Sequence, residues 1–194
     1  MSLKFIGVIM TTKKLDQIAE IFTGARTSRY INENNSLKPV IKNKFSQDKI
    51  HLEFSNEPIS NKLDEKFYSR KGDIVISLSA PNNVSLIDKD DYIIPMQFAV
   101  IRLHDGYDPN FITAALKSSY FSNEISRRLE GTSLKIIKIE YLKEMELNIP
   151  DYEKQKSIGE YFNLMNQRNM LLERKIELNK EFENKVMADI LKSR

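Results

Sequence analysis

The sequence contains no cysteine, which excludes disulfides and thiolate metal sites and suits a reducing compartment. It has six glycines, at positions 7, 24, 72, 106, 131 and 159. No two lie within a few residues of each other, so neither a phosphate-cradling glycine loop nor a dinucleotide fingerprint is present. The histidines are His51 and His104 alone, far apart and without thiolate neighbours, which argues against a zinc site. There is no Gly-x-Ser-x-Gly elbow. No apolar run approaches the length of a membrane span, and the opening "MSLKFIGVIMTTKKL" has too short an apolar stretch for a secretory signal. These absences point to a soluble, cytoplasmic protein without a membrane partner.

A metal-dependent nuclease needs a carboxylate followed by a Glu-x-Lys pair on neighbouring strands. Glu173-Arg174-Lys175 has that spacing, but it falls in a helical stretch where the side chains cannot converge on a metal. It reads as a solvated face. Neither a catalytic residue nor a metal ligand is expected.

What is present is charge and a substantial apolar fraction. Charged residues are 29% of the chain and hydrophobic residues 41%, with a net charge of +3. The charge is uneven: residues 1–71 carry 13 basic and 8 acidic side chains. That surplus suits a phosphate-bearing partner, or equally a mixed solvated surface.

Along the chain, "LDQIAEIF" (15–22) places Leu15, Ile18 and Phe22 at helical spacing before Gly24. "KIHLEF" (49–54) alternates Ile50, Leu52 and Phe54 as a half-buried strand. "GDIVISLSA" puts Ile74, Ile76 and Leu78 on one strand face, closed by a turn at Asn82-Asn83. "DYIIPMQFAVIRL" (91–103) is β-rich, with Pro95 favouring an edge or a bulge. Asp108 is a natural N-cap and Pro109 a natural first helical residue, with Gly131 as the stop and Phe111, Ala115, Ile125 and Leu129 sharing a buried face. A short strand, a helical turn and a last strand then lead to Pro150. The expected fold class is α+β: a mainly β domain over 1–150 with flanking helices, then a long coiled-coil helix over 151–194.

That last segment has a heptad pattern. Phe162, Met165, Asn169, Leu172, Ile176 and Asn179 step by three and four, flanked by Leu164, Leu171 and Leu178. About 43 helical residues extend roughly 65 Å, more than the preceding domain can cover. Either a partner helix lies against the seam or the helix folds back on its own domain. The asparagines in the seam favour a partner, since buried asparagines set register between paired helices.

In order, "LDQIAEIFTGART", "KGDIVISLSA", "YIIPMQFAVIRL", "LEGTSLKIIKIEYLKEMELNIP" and "YEKQKSIGEYFNLMNQRNMLLERKIE" resemble the DNA-specificity subunit of type I restriction–modification systems. The fourth is similar to that family's glycine–Ser/Thr loop and strand. The fifth is similar to its helix with a Glu-x-x-Gln-like element, although here Glu153 and Gln155 are separated by a single residue. Family members carry two target recognition domains and two such helices; this chain has one of each and resembles half a subunit. The resemblance implies that two copies pack their helices antiparallel and read an interrupted palindrome in double-stranded DNA. It also implies no chemistry in this chain. Methyltransferase and restriction subunits would bring S-adenosylmethionine, ATP and magnesium.

Base reading requires donors and acceptors on loops at one edge of a rigid sheet. Arg26, Thr27, Ser28, Arg29 and Tyr30 are the leading candidates, though "GARTSRY" also fits an ordinary polar loop. Ser77, Ser79, Asn82 and Asn83 form a second polar cluster. Gln97 is either a base contact or a solvent-facing strand residue. Thr132, Ser133 and Lys135 suit phosphate, with Gly131 itself ending a helix. Lys42, Lys44 and Lys49 supply non-specific attraction. The dimer seam is assigned to Met165, Asn169, Leu172, Ile176 and Asn179, and methyltransferase docking, by resemblance, to residues 152–158. The alternative from another class is a non-catalytic coiled-coil adaptor whose head binds protein.

Overall fold

The computed structural model describes residues 10–46, 49–133 and 135–192, and for residues 43–46 and 49–52 the backbone without side chains. Its centre is a four-stranded antiparallel sheet in the order β2 (Ala19–Thr23), β7 (Phe98–Leu103), β5 (Ile74–Ser77) and β6 (Val84–Leu86). A long hairpin, β3 (Leu37–Ser46) with β4 (Lys49–Pro58), lies on one side. A small ladder pairs β1 (Met10–Lys14) with β8 (Glu146–Pro150).

All four residues of β5 are buried, because both faces of the sheet are covered. Strand alternation sends Ile74 and Ile76 into the larger core with Leu78, Ile101 and the helices α1 (Pro109–Leu116) and α2 (Ser119–Leu129). It sends Val75 the other way, against Ile41, Ile87, Ile94, Phe98 and Val100. A third cluster of Ala25, Val40, Ile59, Leu63 and Ile93 seats the hairpin. Below the sheet, Asp73 accepts a bidentate pair from Arg102, Nε to Oδ1 at 2.9 Å and Nη2 to Oδ2 at 2.7 Å. Arg102 also donates to the Tyr68 carbonyl at 3.0 Å. The hydrogen bond from Asp73 raises the pKa of the Arg102 guanidinium above its usual value, against the opposing effect of burial. An ion pair so enclosed holds only because both partners are satisfied.

Several local expectations change. Leu15–Phe22 is not a helix: a 3₁₀ turn (Leu15–Gln17) runs into β2, which pairs with β7 along its whole length. A helix of eight residues leaves half of its backbone groups without intrahelical partners, whereas β2 pairs with a neighbouring strand. The 109–131 helix is two, because Ser118 interrupts it. Its Oγ donates to the Ala115 carbonyl at 2.6 Å and caps the next helix by accepting from Phe121 N. Of the 91–103 run only Phe98–Leu103 is strand; residues 93 and 95 make isolated bridges to Val40, Tyr68 and Ala25. The short strand before α3 (Ile139–Lys143) shrinks to one bridge between Ile136 and Ser79. The Asp108 cap, Pro109 start and Gly131 stop occur as read: Asp108 Oδ1 accepts from Phe111 N at 2.8 Å, and Gly131 has φ +76°. Ile50, Leu52, Lys44, Lys49 and His51 fall outside the described side chains.

The last helix, α4, runs from Tyr152 to Lys192, 41 residues and about 60 Å. It meets the domain through its first turns only. Gln155 is 3% exposed; its Oε1 accepts from Asp108 N at 3.1 Å and its Nε2 donates to the Pro150 carbonyl at 3.0 Å. One turn on, Gly159 lies so near α1 that a Cβ would press on the Asp108 carboxylate and come within 2.7 Å of Phe111 N. From Glu160 to Lys192 no residue is buried. No described helix is long and apolar enough to cross a membrane.

Replacing Gln155 with leucine strands a backbone donor and a backbone acceptor in a buried place. The expected loss is about 1–3 kcal/mol, read from the urea midpoint of the full chain. An unchanged midpoint would show that water reaches the joint.

Candidate nucleic-acid interface

β2 and β5 end where β6 and β7 begin, so four strand ends meet at one edge of the central sheet, those of β5 and β6 joined by a single turn. Backbone hydrogen bonds carry the sheet a little further there. Gly24 N donates to Phe98 O at 3.0 Å, Ala25 N to Ile94 O at 2.8 Å, and Met96 N to Ala25 O at 2.8 Å. Leu78 then donates to Gln97 O at 2.9 Å, and its own carbonyl accepts from Ile137 N at 2.8 Å. The result is a shelf of four segments, 24–25, 94–98, 78–79 and 136–137, side by side. Three of the segments that had seemed separate in sequence are joined through Leu78.

Gly24 sets the first contact of this row. A Cβ at that position would collide with the backbone of Ile94 and Pro95, so only glycine allows β2 to pass so close. The chain then turns through Thr27–Arg29 in a 3₁₀ turn, which presents Arg26, Ser28 and Arg29 to solvent and leaves Thr27 and Tyr30 half-buried. Tyr30 packs beside Phe67 and Tyr68, on the cluster that seats the hairpin. Its carbonyl accepts from Ser60 N at 2.9 Å, which ties the arginine turn to the base of that hairpin.

Gln97 is exposed in the turn that precedes β7, so it is a loop residue and not the strand residue that its apolar neighbours suggested. Ser79 is exposed. Ser77 is not: it is 3% exposed, and its Oγ donates to the Ser79 carbonyl at 3.0 Å. Asn82 is also turned inward, its Nδ2 donating to the Ser77 carbonyl at 3.0 Å and the Leu78 carbonyl at 3.3 Å. These two side chains brace the turn around the cis Ala80–Pro81 bond. Asn83 pairs through its backbone, N to Pro81 O at 2.9 Å and O from Ser77 N at 2.9 Å. Its Nδ2 is buried with no partner among the described residues.

Thr132, Ser133 and Lys135 are exposed on the loop that reaches the shelf at Ile136. The Thr132 hydroxyl closes the end of α2, donating to the Leu129 carbonyl at 2.8 Å. Lys42 pairs with Glu57 across the hairpin at 3.4 Å. The exposed cations of the shelf are therefore Arg26, Arg29 and Lys135, with Gln97, Ser28, Ser79 and Ser133 between them. No cluster of metal-binding side chains occurs among the described residues.

On α4 the seam residues Asn169, Leu172, Ile176 and Asn179 are exposed and Met165 is half-buried. Leu172 is 46% and Ile176 55% exposed. Residues 152–158 divide. Tyr152 is a surface residue at 48% exposure, whereas Gln155 is spent inside the joint. The residue that sequence reasoning undervalued is Gln155, whose signal was a polar amide one turn after a proline-ended strand.

The profile of the family described as "Type I restriction modification DNA specificity domain" matches residues 8–184. The chain belongs to that family. A search of curated proteins with the sequence finds no match. Among solved structures, the HsdS subunit from Thermoanaerobacter tengcongensis is similar at 20% identity and a TM-score of 0.55, over 88% of this chain and 42% of that one. The type I restriction-modification S subunit from M. genitalium is similar at 19% identity and a TM-score of 0.58, over 93% of this chain and 45% of that one. A chain from a structure on complex assembly and conformational transition of the type I R-M system gives 19% and 0.58, over 88% and 43%. At these identities the likeness is one of fold. The chain spans less than half the length of the solved proteins it matches. As a member of the specificity family it has the expected β-rich domain and long helix.

Gly24→Ala is expected to push the arginine turn off the Ile94–Pro95 backbone, since no flexible side chain is there to yield. A loss of about 1–3 kcal/mol is anticipated, with amide exchange accelerated at Ala25 and Met96. Exchange rates that stay native there would overturn the account of the shelf.

Proposed function

We propose that this chain is a DNA-specificity half-subunit that reads one half of a bipartite site. Two copies, with their α4 helices antiparallel, read an interrupted palindrome and direct methyltransferase and restriction subunits to it. The observation that supports this reading is the shelf, whose backbone hydrogen bonds bring the segments next to or bearing exposed Arg26, Gln97 and Lys135 to one sheet edge. Family membership supports the specificity role.

The physical division of labour is simple. Arginine offers two parallel donors that match O6 and N7 of guanine, and Gln97 an amide that matches N6 and N7 of adenine. Lys135 and the Ser133 hydroxyl suit phosphate, which fixes register without reading sequence. A rigid edge matters because a base contact loses its discrimination once the loop can follow the wrong base. The helix, anchored at one end, sets the spacing between two such edges when a second copy covers its seam. S-adenosylmethionine, ATP and magnesium belong to the partner subunits in this scheme, and this chain supplies no catalytic group.

Replacing Arg26 and Arg29 together with alanine should relax sequence preference at the base pairs they contact, at roughly 1–3 kcal/mol of discrimination per lost base contact. The salt dependence of any residual binding should weaken. Fluorescence anisotropy with duplexes enriched from a random pool measures both. If the double variant prefers the same base at every position as the native chain does, the arginine turn does not read bases. If the native chain binds every duplex alike, the adaptor reading takes its place.

For the seam, Leu172→Glu with Ile176→Glu places charges on the exposed apolar face. Sedimentation velocity should then show a native dimer and a variant monomer, with the globular domain's stability unchanged. A native chain that sediments as a monomer at micromolar concentration would sink the homodimer.

A further inference from the structure

The shelf is polar except for two exposed apolar side chains. Ile136 is 46% exposed at its far side, and Met96 is 51% exposed in its middle. Met96 is not there by looseness of the chain. Its N–H is bonded to the Ala25 carbonyl at 2.8 Å, the turn around it closes with Phe98 N to Pro95 O at 3.1 Å, and the next residue accepts from Leu78 at 2.9 Å. Its neighbour Pro95 is buried, and Ile94 and Phe98 are core residues. A four-residue turn whose other apolar members face inward thus holds one methionine outward, between the Ala25–Arg26 segment and Gln97.

An exposed methionine on a fixed backbone offers an unbranched, polarizable surface that adjusts its own rotamers to a partner. In the major groove of DNA the base edges are read through donors, acceptors and one apolar group large enough to pack against, the C5 methyl of thymine. Arg26 and Gln97 supply hydrogen bonds; they cannot recognise that methyl. We propose that Met96 is a specificity-determining residue that packs on a thymine methyl in the half-site. The inference rests on the DNA-reading role given above and extends it from hydrogen-bonding residues to an apolar one.

The test uses the full-length chain with the half-site enriched from random duplexes. Each thymine in that site is replaced in turn by deoxyuridine, which deletes only the methyl. For the native chain one replacement should weaken binding about fourfold, the effect of withdrawing one buried methyl from water-free contact. For Met96→Ala the same replacement should have no effect, whereas Arg26→Ala should remain sensitive to it. Met96→Leu, which keeps an apolar surface, should keep most of the sensitivity. The proposal is overturned if native chain and Met96→Ala respond alike to every deoxyuridine, or if the enriched half-site contains no thymine. A native chain that enriches no sequence at all would instead bring down the DNA-reading role itself, and this outcome is distinct from the other two.

Discussion

The placement of the long helix depends on one buried amide. Gln155 accepts from the backbone at Asp108 and donates to the carbonyl of Pro150. It thereby joins the start of α1, the end of β8 and the first turns of α4. Gly159 lets the two helices close on each other one turn later. A rod of 41 residues held only at its base magnifies any slack there, since a few degrees at the joint become several ångströms at the tip. A buried amide satisfied on both sides permits one orientation, because any other leaves polar groups stranded. The same residue that looks like surface chemistry in the sequence is a hinge pin in the fold.

The domain to which that rod is fixed is itself stiff for a related reason. Its central sheet is covered on both faces, so β5 carries apolar residues at successive positions. The enclosed Asp73–Arg102 pair ties the sheet to the segment around Tyr68. Rigidity reaches the shelf through Leu78, whose backbone donates to Gln97 and accepts from Ile137. Side chains that a linear reading groups together are thereby sorted: Ser77 and Asn82 brace the turn, while Arg26, Gln97, Ser133 and Lys135 stand outside it.

The uncovered length of α4 has its own physical consequence. An apolar stripe in water is unfavourable in proportion to its area, and a partnered helix relieves it more fully than a solvated one. Asn169 and Asn179 in the same stripe restrict which registers satisfy a partner.

The sequence by itself determined the elements with strong local signals. The Asp108–Pro109 start, the Gly131 stop, the heptad from Phe162 onward and the ending at Pro150 are all local matters of capping, backbone freedom and period. The β-rich character of the first part was legible too. What the tertiary structure decided were the elements whose neighbours lie far away in the chain. Leu15–Phe22 has helical spacing but becomes a turn and a strand because β7 is there to pair with it. Ser77 was grouped with the polar Ser79, Asn82 and Asn83, yet it is buried because the sheet is covered on both sides. The convergence of residues 26, 97, 79 and 135 on one edge was out of reach of any local pattern, since it is made by hydrogen bonds between segments tens of residues apart. Local propensity fixes what a segment can be. Which of its side chains face a ligand is fixed by what the rest of the chain has already covered.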